Sequence, residues 1–377
     1  MAEILLFSSI FLIFFAYFGY PVSLLLVGWI WGRDVKSATI LPSVTFIVTV
    51  HNEEARIKQK LENTFSLDYP KSKLQILVAS DGSSDLTNEI VRAYCSQGAF
   101  LLEIPDRRGK ENAQKEAIER ASGEVIVFSD VATSMEKQGL RQLVSNFADP
   151  TVGCVSSEDR LLGRDGKPSG EGLYVEYEMW LRALESRANS LVGLSGSLFA
   201  ARKEVCKDFS GEMQSDFRTV LNSVKMGLRG VSDPLAVGLY QDIVDQRREW
   251  ERKIRTVVRG LTVFFRHVEL LNVFQYGLFS YQLLCHKLLR WLVPLFLILA
   301  FISNLALIHS SFIYRLLLLL QLLLYGFGIL GLLRPKIQVI NLIKIPVYFL
   351  AVNVSIMFAW WRYLSGERVI TWTPTRR

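Results

Sequence analysis

The chain has little cysteine and histidine, four of each in 377 residues, and no two cysteines form a C-x-x-C pair. That scarcity excludes a disulfide framework and a zinc site built on cysteine pairs, and it suits a reducing compartment. A Walker loop and H-E-x-x-H are missing, and no G-x-G-x-x-G stands after a strand-like run. P-loop, zinc-protease and dinucleotide readings therefore have nothing to rest on. Ser195, within Gly193-Leu194-Ser195-Gly196-Ser197, has neither the nucleophile-elbow pattern nor a histidine partner, which removes serine-hydrolase chemistry. The charge excess is only +7, and its basic residues gather around 247–266 and near the apolar ends. Anionic headgroups or a diphosphate explain it more economically than nucleic acid.

What the chain does have is hydrophobic residue, 50% of the total, concentrated at its two ends. Residues 4–31 form a run too long for a signal-peptide core and preceded by Glu3 instead of basic residues, so 1–32 reads as a retained membrane anchor. Arg33 and Lys36 follow it, which by the positive-inside rule places the next domain, 33–260, on the cytoplasmic side. Within a C-terminal region 291–377, Trp291 to Ile308 and Phe312 to Leu333 each reach the roughly 20 residues a span needs. Leu342 to Trp361 is expected to lie in the interface or re-enter, because a full crossing would put Arg362, Arg368, Arg376 and Arg377 outside. Leu261 to Arg290 mixes Phe, Leu and Tyr with Arg266, His267, Glu269, His286, Lys287 and Arg290, a pattern for amphipathic helices on the membrane surface.

In the middle domain, Val44–Val50, Leu74–Ala79, Phe100–Ile104 and Val125–Phe128 are short apolar runs separated by helical stretches. This is the alternation of an α/β domain with a mainly parallel sheet. Glu53, Asp81, Lys110 and Asp130 follow the ends of those runs. Ligands of such sheets bind beyond the carboxyl ends of the strands, so the four polar groups are expected to share one crevice. Asp81 opens Asp81-Gly82-Ser83-Ser84-Asp85; it could accept hydrogen bonds from a base or ribose, or the loop could simply cap the next helix. A calcium loop is ruled out, because Leu86 stands where glycine is needed and Arg92 at its twelfth position. Asp130 suits a metal ion that bridges two phosphates, or equally a turn. Arg107, Arg108 and Lys110 precede a helix, a setting for an anionic group or for plain surface charge. On the stretch Glu171–Ala188, the face holding Tyr174, Tyr177, Trp180, Leu181 and Leu184 reads mostly as core.

Taken in order, eight segments resemble the family 2 glycosyltransferases, in particular the membrane-bound group of hyaluronan, chitin, cellulose and poly-N-acetylglucosamine synthases. They are Val50-His51-Asn52-Glu53-Glu54, Asp81-Gly82-Ser83-Ser84-Asp85, Arg108-Gly109-Lys110, Ser129-Asp130-Val131-Ala132, Gly193 to Arg202, Gln214-Ser215-Asp216-Phe217, Gln246-Arg247-Arg248-Glu249-Trp250 and Trp372-Thr373-Pro374-Thr375-Arg376. The resemblance covers nearly the whole chain. It implies a GT-A domain, Rossmann-like with a mainly parallel sheet, carried on transmembrane helices in a bacterial plasma membrane. It further implies an inverting transfer from a nucleotide sugar, UDP-linked, to a growing polysaccharide or to a lipid-linked acceptor. Asp216 would be the catalytic base; Glu53, Asp81, Lys110, Asp130, Arg247 and Arg248 would hold the donor; Gly196, Gln246 and Trp250 would line the acceptor. Asp130 would carry a magnesium or manganese ion.

Three departures stand out. Ala132 replaces the second acid of the D-x-D pattern, Ser215 stands where an acid often precedes the base, and Glu249 stands where arginine is expected before Trp250. A buried structural tryptophan competes with the acceptor role for Trp250. Export partners and self-association are left open. A transporter is the rival from another class, but Trp291–Ile308 has no ionisable residue and Phe312–Leu333 only Arg315 near one edge. A scaffold with a degenerate transferase domain is opposed by the joint retention of Asp81, Asp130 and Asp216.

Overall fold

The computed structural model describes residues 1–162, 172–241, 246–333 and 341–368. Trp372 and the segment around it lie outside the described residues, as do the side chains of Tyr174, Gln246, Arg247 and Arg248. Contacts divide the chain into two units. One comprises residues 24–246 and 262–280; the other comprises 1–23, 247–261 and 281–368.

The first unit is α/β. Its strands are β1 (Val44–Val50), β2 (Leu74–Asp81), β3 (Ala99–Ile104), β4 (Val125–Asp130), β5 (Ser134–Met135), β6 (Val152–Leu162), β7 (Leu198–Arg202) and β8 (Arg229–Gln241). They form one sheet in the order β3-β2-β1-β4-β7-β6-β8-β5. The first four are mutually parallel, whereas β7 runs antiparallel to both β4 and β6. Every residue of β1 is buried, as a central parallel strand covered on both faces requires. Phe46 and Val48 pack with Val78, Val127, and Ile57 and Leu61 of the helix Ile57–Phe65 in a single apolar core. Between β1 and β4 the strand order reverses, which opens a crevice at the carboxyl ends. Asp81 and Asp130 are the last residues of β2 and β4, so the fold itself puts both acids at that edge. In β8 the register against β6 shifts between Asp233 and Val237, and Pro234, which has no N–H to give, lies in the irregularity.

On the helix Gly172–Ala188 the buried side is narrower than the sequence suggested. Leu181 is fully buried, while Trp180 is 45% exposed and pairs with the Tyr177 ring.

The second unit is helical. Among the described residues, four helices are long and apolar enough to cross a membrane: Ala2–Trp31, Leu278–Leu307, Phe312–Leu333 and Ile345–Leu364. One differs from the sequence reading. Surface helices were expected as far as Arg290, yet after the turn at Gly277 (φ 54°) the chain is helical from Leu278 and runs on as one apolar helix. Two of the polar residues that suggested a water-facing stripe are buried: His286 and Arg290 are each 8% exposed, and the Arg290 guanidinium lies over the Tyr17 ring. At Leu342–Trp361 no re-entrant break occurs, which leaves an interfacial or a crossing helix. Asn341–Leu364 is one continuous helix despite Pro346, and its Trp360 Nε1 donates to the Trp291 carbonyl at 2.9 Å.

Candidate active site

The turns after β1 and β2 are laced together by short polar side chains. Asn52, which sits in the left-handed region at φ 53°, accepts the Ser84 N–H at 2.8 Å and gives its own N–H to Ser83 Oγ at 3.2 Å. Asparagine is among the residues that adopt this backbone at low cost. Thr87 Oγ1 accepts from Glu53 N at 2.8 Å, and Asp85 accepts from Glu54 N at 3.1 Å and Thr87 N at 3.0 Å. The Glu53 carboxylate itself is buried and held by Arg56 Nε and Nη2 at 2.8 and 2.7 Å. Burial pushes its pKa up, Arg56 opposes this, and Asp130 and Asp85 add to the rise.

Asp81 has no exposed surface, and its two oxygens accept the backbone N–H groups of Arg108 and Gly109, each at 2.8 Å. Its carbonyl lies 2.6 Å from His51 Nδ1. Gly82 has φ 61°, and a Cβ there would come within 2.9 Å of Arg107 N, so the 105–109 loop rests directly on this turn. In this arrangement the Asp81 carboxylate organises that loop.

The loop ends at Gly109, where the helix Lys110–Glu119 begins. Lys110 Nζ forms an ion pair with Asp130 and donates to the Gly196 carbonyl at 3.0 Å. Gly196 is next to Asp216: a Cβ on Gly196 would sit 3.3 Å from Asp216 Oδ2. Asp216 is the second residue of the helix Ser215–Lys225, where the helix dipole favours a carboxylate, and it accepts from Gln214 Nε2 at 3.1 Å. Lys110, Asp130, Gly196 and Asp216 are thus brought together, and Asp81 reaches them through the loop that leads into Lys110.

Trp250 belongs to the helical unit, where its ring meets Phe358 edge-on at 6.2 Å. Gln246, Arg247 and Arg248 open the helix Gln246–Phe265, with their side chains outside the described residues.

Two residues of the site were not singled out in the sequence. Lys60 is fully buried on the helix Ile57–Phe65; its Nζ donates to Ser129 Oγ at 2.7 Å and to the Thr133 carbonyl, and it lies over the Phe46 ring. Burial lowers its pKa to about 7 against the pull of Asp130. The available signal was its place on the apolar stripe Ile57, Lys60, Leu61, Thr64. The other is Asp159 on β6, whose oxygen accepts the hydroxyls of Ser195 and Ser197, and nothing local in the sequence marks it.

Among the described residues no three of His, Cys, Asp or Glu gather into a cage for a metal ion. Asp130 offers one carboxylate, partly exposed, with Ala132 two residues on. That donor set suits a cation shared with a diphosphate, which needs one or two protein carboxylates, and does not suit a cage made by protein alone.

Residues 45–209 match the family model described as Glycosyl transferase family 2. The chain is 27% identical over 237 residues to the poly-beta-1,6-N-acetyl-D-glucosamine synthase of Staphylococcus aureus (strain COL), covering 60% of this chain and 56% of that one. It is 23% identical over 256 residues to YdaM of Bacillus subtilis (strain 168), described as a probable glycosyltransferase, covering 63% and 60%. The chain therefore spans less than two thirds of the length of these relatives. Among solved structures, the mannosyltransferase PcManGT from Pyrobaculum calidifontis, in complex with GDP-Man and Mn2+, superposes with a TM-score of 0.74 at 24% identity, over 98% of this chain and 100% of that one. That likeness is one of fold, and it agrees with the expected GT-A arrangement.

Proposed function

Because residues 45–209 carry a glycosyl transferase family 2 domain, we propose that the chain moves a sugar from a UDP-linked donor to a growing polysaccharide at a membrane, inverting the anomeric carbon. The observation that carries this reading is the reach of Lys110. One ammonium pairs with Asp130 and also holds the carbonyl of Gly196, the neighbour of Asp216, so a cation for the leaving group and a base for the acceptor share one edge of the sheet.

In the reaction, Asp216 takes the proton of an acceptor hydroxyl as that oxygen bonds to the anomeric carbon. The bond from this carbon to the diphosphate breaks on the opposite face, and its electron pair leaves with the diphosphate. Lys110 is set to take up the developing negative charge. Glu53 and Asp81 act on the donor indirectly, through the turns they hold. A divalent cation, when bound at Asp130, supplies further charge neutralisation to the diphosphate. Arg247 and Arg248 are assigned to the diphosphate, and Gln246 and Trp250 to the acceptor, on their motif. Arg33 and Lys36 after the first apolar helix support a cytoplasmic catalytic unit.

The test is to incubate the purified protein in lipid with a panel of UDP and GDP sugars, follow nucleotide release, and size the product. A polymer ladder supports the reading; one sugar on a lipid carrier replaces it with single transfer. Asp216→Asn should lower turnover by on the order of 100- to 10,000-fold, and near-normal turnover rejects its role as base.

A further inference from the structure

The turn Ser195-Gly196-Ser197 makes three contacts with the proposed reaction groups. The Gly196 carbonyl accepts from Lys110 Nζ at 3.0 Å, the Ser197 carbonyl accepts from Asp130 N at 2.9 Å, and the Gly196 Cα faces Asp216 so closely that a Cβ would lie 3.3 Å from Oδ2. Its central residue is an exposed glycine, the residue with most backbone freedom. Such a turn keeps one shape only if its flanks are fixed.

The flanks are fixed by β6. Asp159 accepts both serine hydroxyls on the same oxygen, Ser195 Oγ to Oδ1 at 2.6 Å and Ser197 Oγ to Oδ1 at 2.9 Å. The two hydroxyls are 2.9 Å apart, so they form a closed triangle with that oxygen. Ser195 N donates to Ser156 Oγ at 2.8 Å, and Ser157 Oγ donates to the Leu198 carbonyl at 2.8 Å. The other Asp159 oxygen faces Arg182 Nη1 at 3.9 Å, and the Asp159 side chain is 13% exposed.

We propose that Asp159 is the positioning residue that fixes the Ser195–Ser197 turn and thereby sets Lys110 and Asp130 against Asp216. The inference rests on the transfer reading above. Asp159 touches no reacting atom; it acts through two hydroxyls, and what it needs for this is an acceptor oxygen, not a charge.

Two variants separate these requirements. Asp159→Asn keeps an oxygen that can accept both hydroxyls and should hold kcat within about threefold of the native chain. Asp159→Leu has similar size and no acceptor, and should lower kcat on the order of 100-fold, the scale of a misplacement of about 1 Å. The fraction of molecules that bind UDP should stay unchanged in both, measured by calorimetric titration. If Asp159→Leu does not fold, the double variant Ser195→Ala/Ser197→Ala removes both donors and should give the same fall. Asn as damaging as Leu overturns the proposal, since charge would then be the requirement. So does a Leu variant with native kcat, or a loss of kcat that merely tracks the loss of UDP-binding molecules. Absence of turnover by the native chain overturns the transfer reading and this inference together, whereas native turnover with an undiminished Leu variant overturns this inference alone.

Discussion

Asp81→Asn separates two roles that look alike in a sequence motif. The native carboxylate is fully buried, and each oxygen takes one backbone N–H of the 105–109 loop at 2.8 Å. Asparagine keeps one acceptor oxygen but turns an NH2 group toward the other N–H, so one bond is lost and two donors face each other. A hydrogen bond to a charged group contributes about 1.5–3 kcal/mol, so the loop should lose about 2 kcal/mol of local stability. That corresponds to roughly a 30-fold rise in the population of its open form. Arg107 and Arg108 are exposed in this loop, so limited trypsin digestion reads the opening directly. When reclosing is fast, cleavage there should accelerate roughly 30-fold, with a lower melting temperature, while UDP affinity falls only as far as the loop contributes to it. The reasoning is refuted by a variant that loses UDP binding with unchanged cleavage and melting, because the carboxylate would then serve the ligand and not the loop.

Two further outcomes follow from buried charges that take no part in the proposed proton transfer. Burial works against the charge of Asp149, but hydrogen bonds from Thr151 and Lys36 N, with the Arg229 guanidinium, hold its pKa at about 2. Its folded value is below the unfolded one, so its stabilisation is present above about pH 4 and is lost as pH falls toward 2. Asp149→Asn should cost about 2 kcal/mol at pH 7, and about half that at pH 3, in chemical denaturation; an equal gap at both pH values rejects the reasoning. Lys60 is the opposite case, a lysine whose folded pKa of about 7 lies below its unfolded value. The unfolded chain then binds the extra proton between about pH 7 and 10, so stability rises with pH across that window. Lys60→Met should flatten the rise in melting temperature between pH 7 and 9, and parallel curves for the two proteins count against it.

How much of this was legible beforehand depends on the range of the physics. Strands β1, β2 and β4 show in the sequence because burial on both faces writes them as nearly continuous apolar runs, while β3 at the sheet edge alternates between buried and exposed positions. The places of Asp81, Lys110 and Asp130 at one edge follow from that parallel topology alone. The antiparallel pairing of β7 with β4 and β6 does not, since it depends on contacts between residues roughly forty to eighty positions apart. Leu278–Arg290 misled for a related reason: His286 and Arg290 are buried against aromatic rings of the first helix, which no local periodicity reveals.

The same distinction separates the acids of the site. Asp81 and Asp130 both end a parallel strand; in sequence Asp81 reads as a ligand group in a loop that could also cap the next helix, and Asp130 equally as a metal ligand or a turn residue. Their fates part because backbone N–H groups of a loop fold over Asp81, while the Asp130 carboxylate pairs with the ammonium of Lys110 and keeps 30% of its side chain exposed. A carboxylate that holds two backbone donors and has no exposed surface is committed to its loop, whereas one balanced by a lysine can exchange that partner for another cation. Asp159 extends the argument. Invisible in any motif, it holds two hydroxyls of the turn that Lys110 and Asp130 both touch, so the geometry of the site is set as much by acids that touch no reacting atom as by those that do.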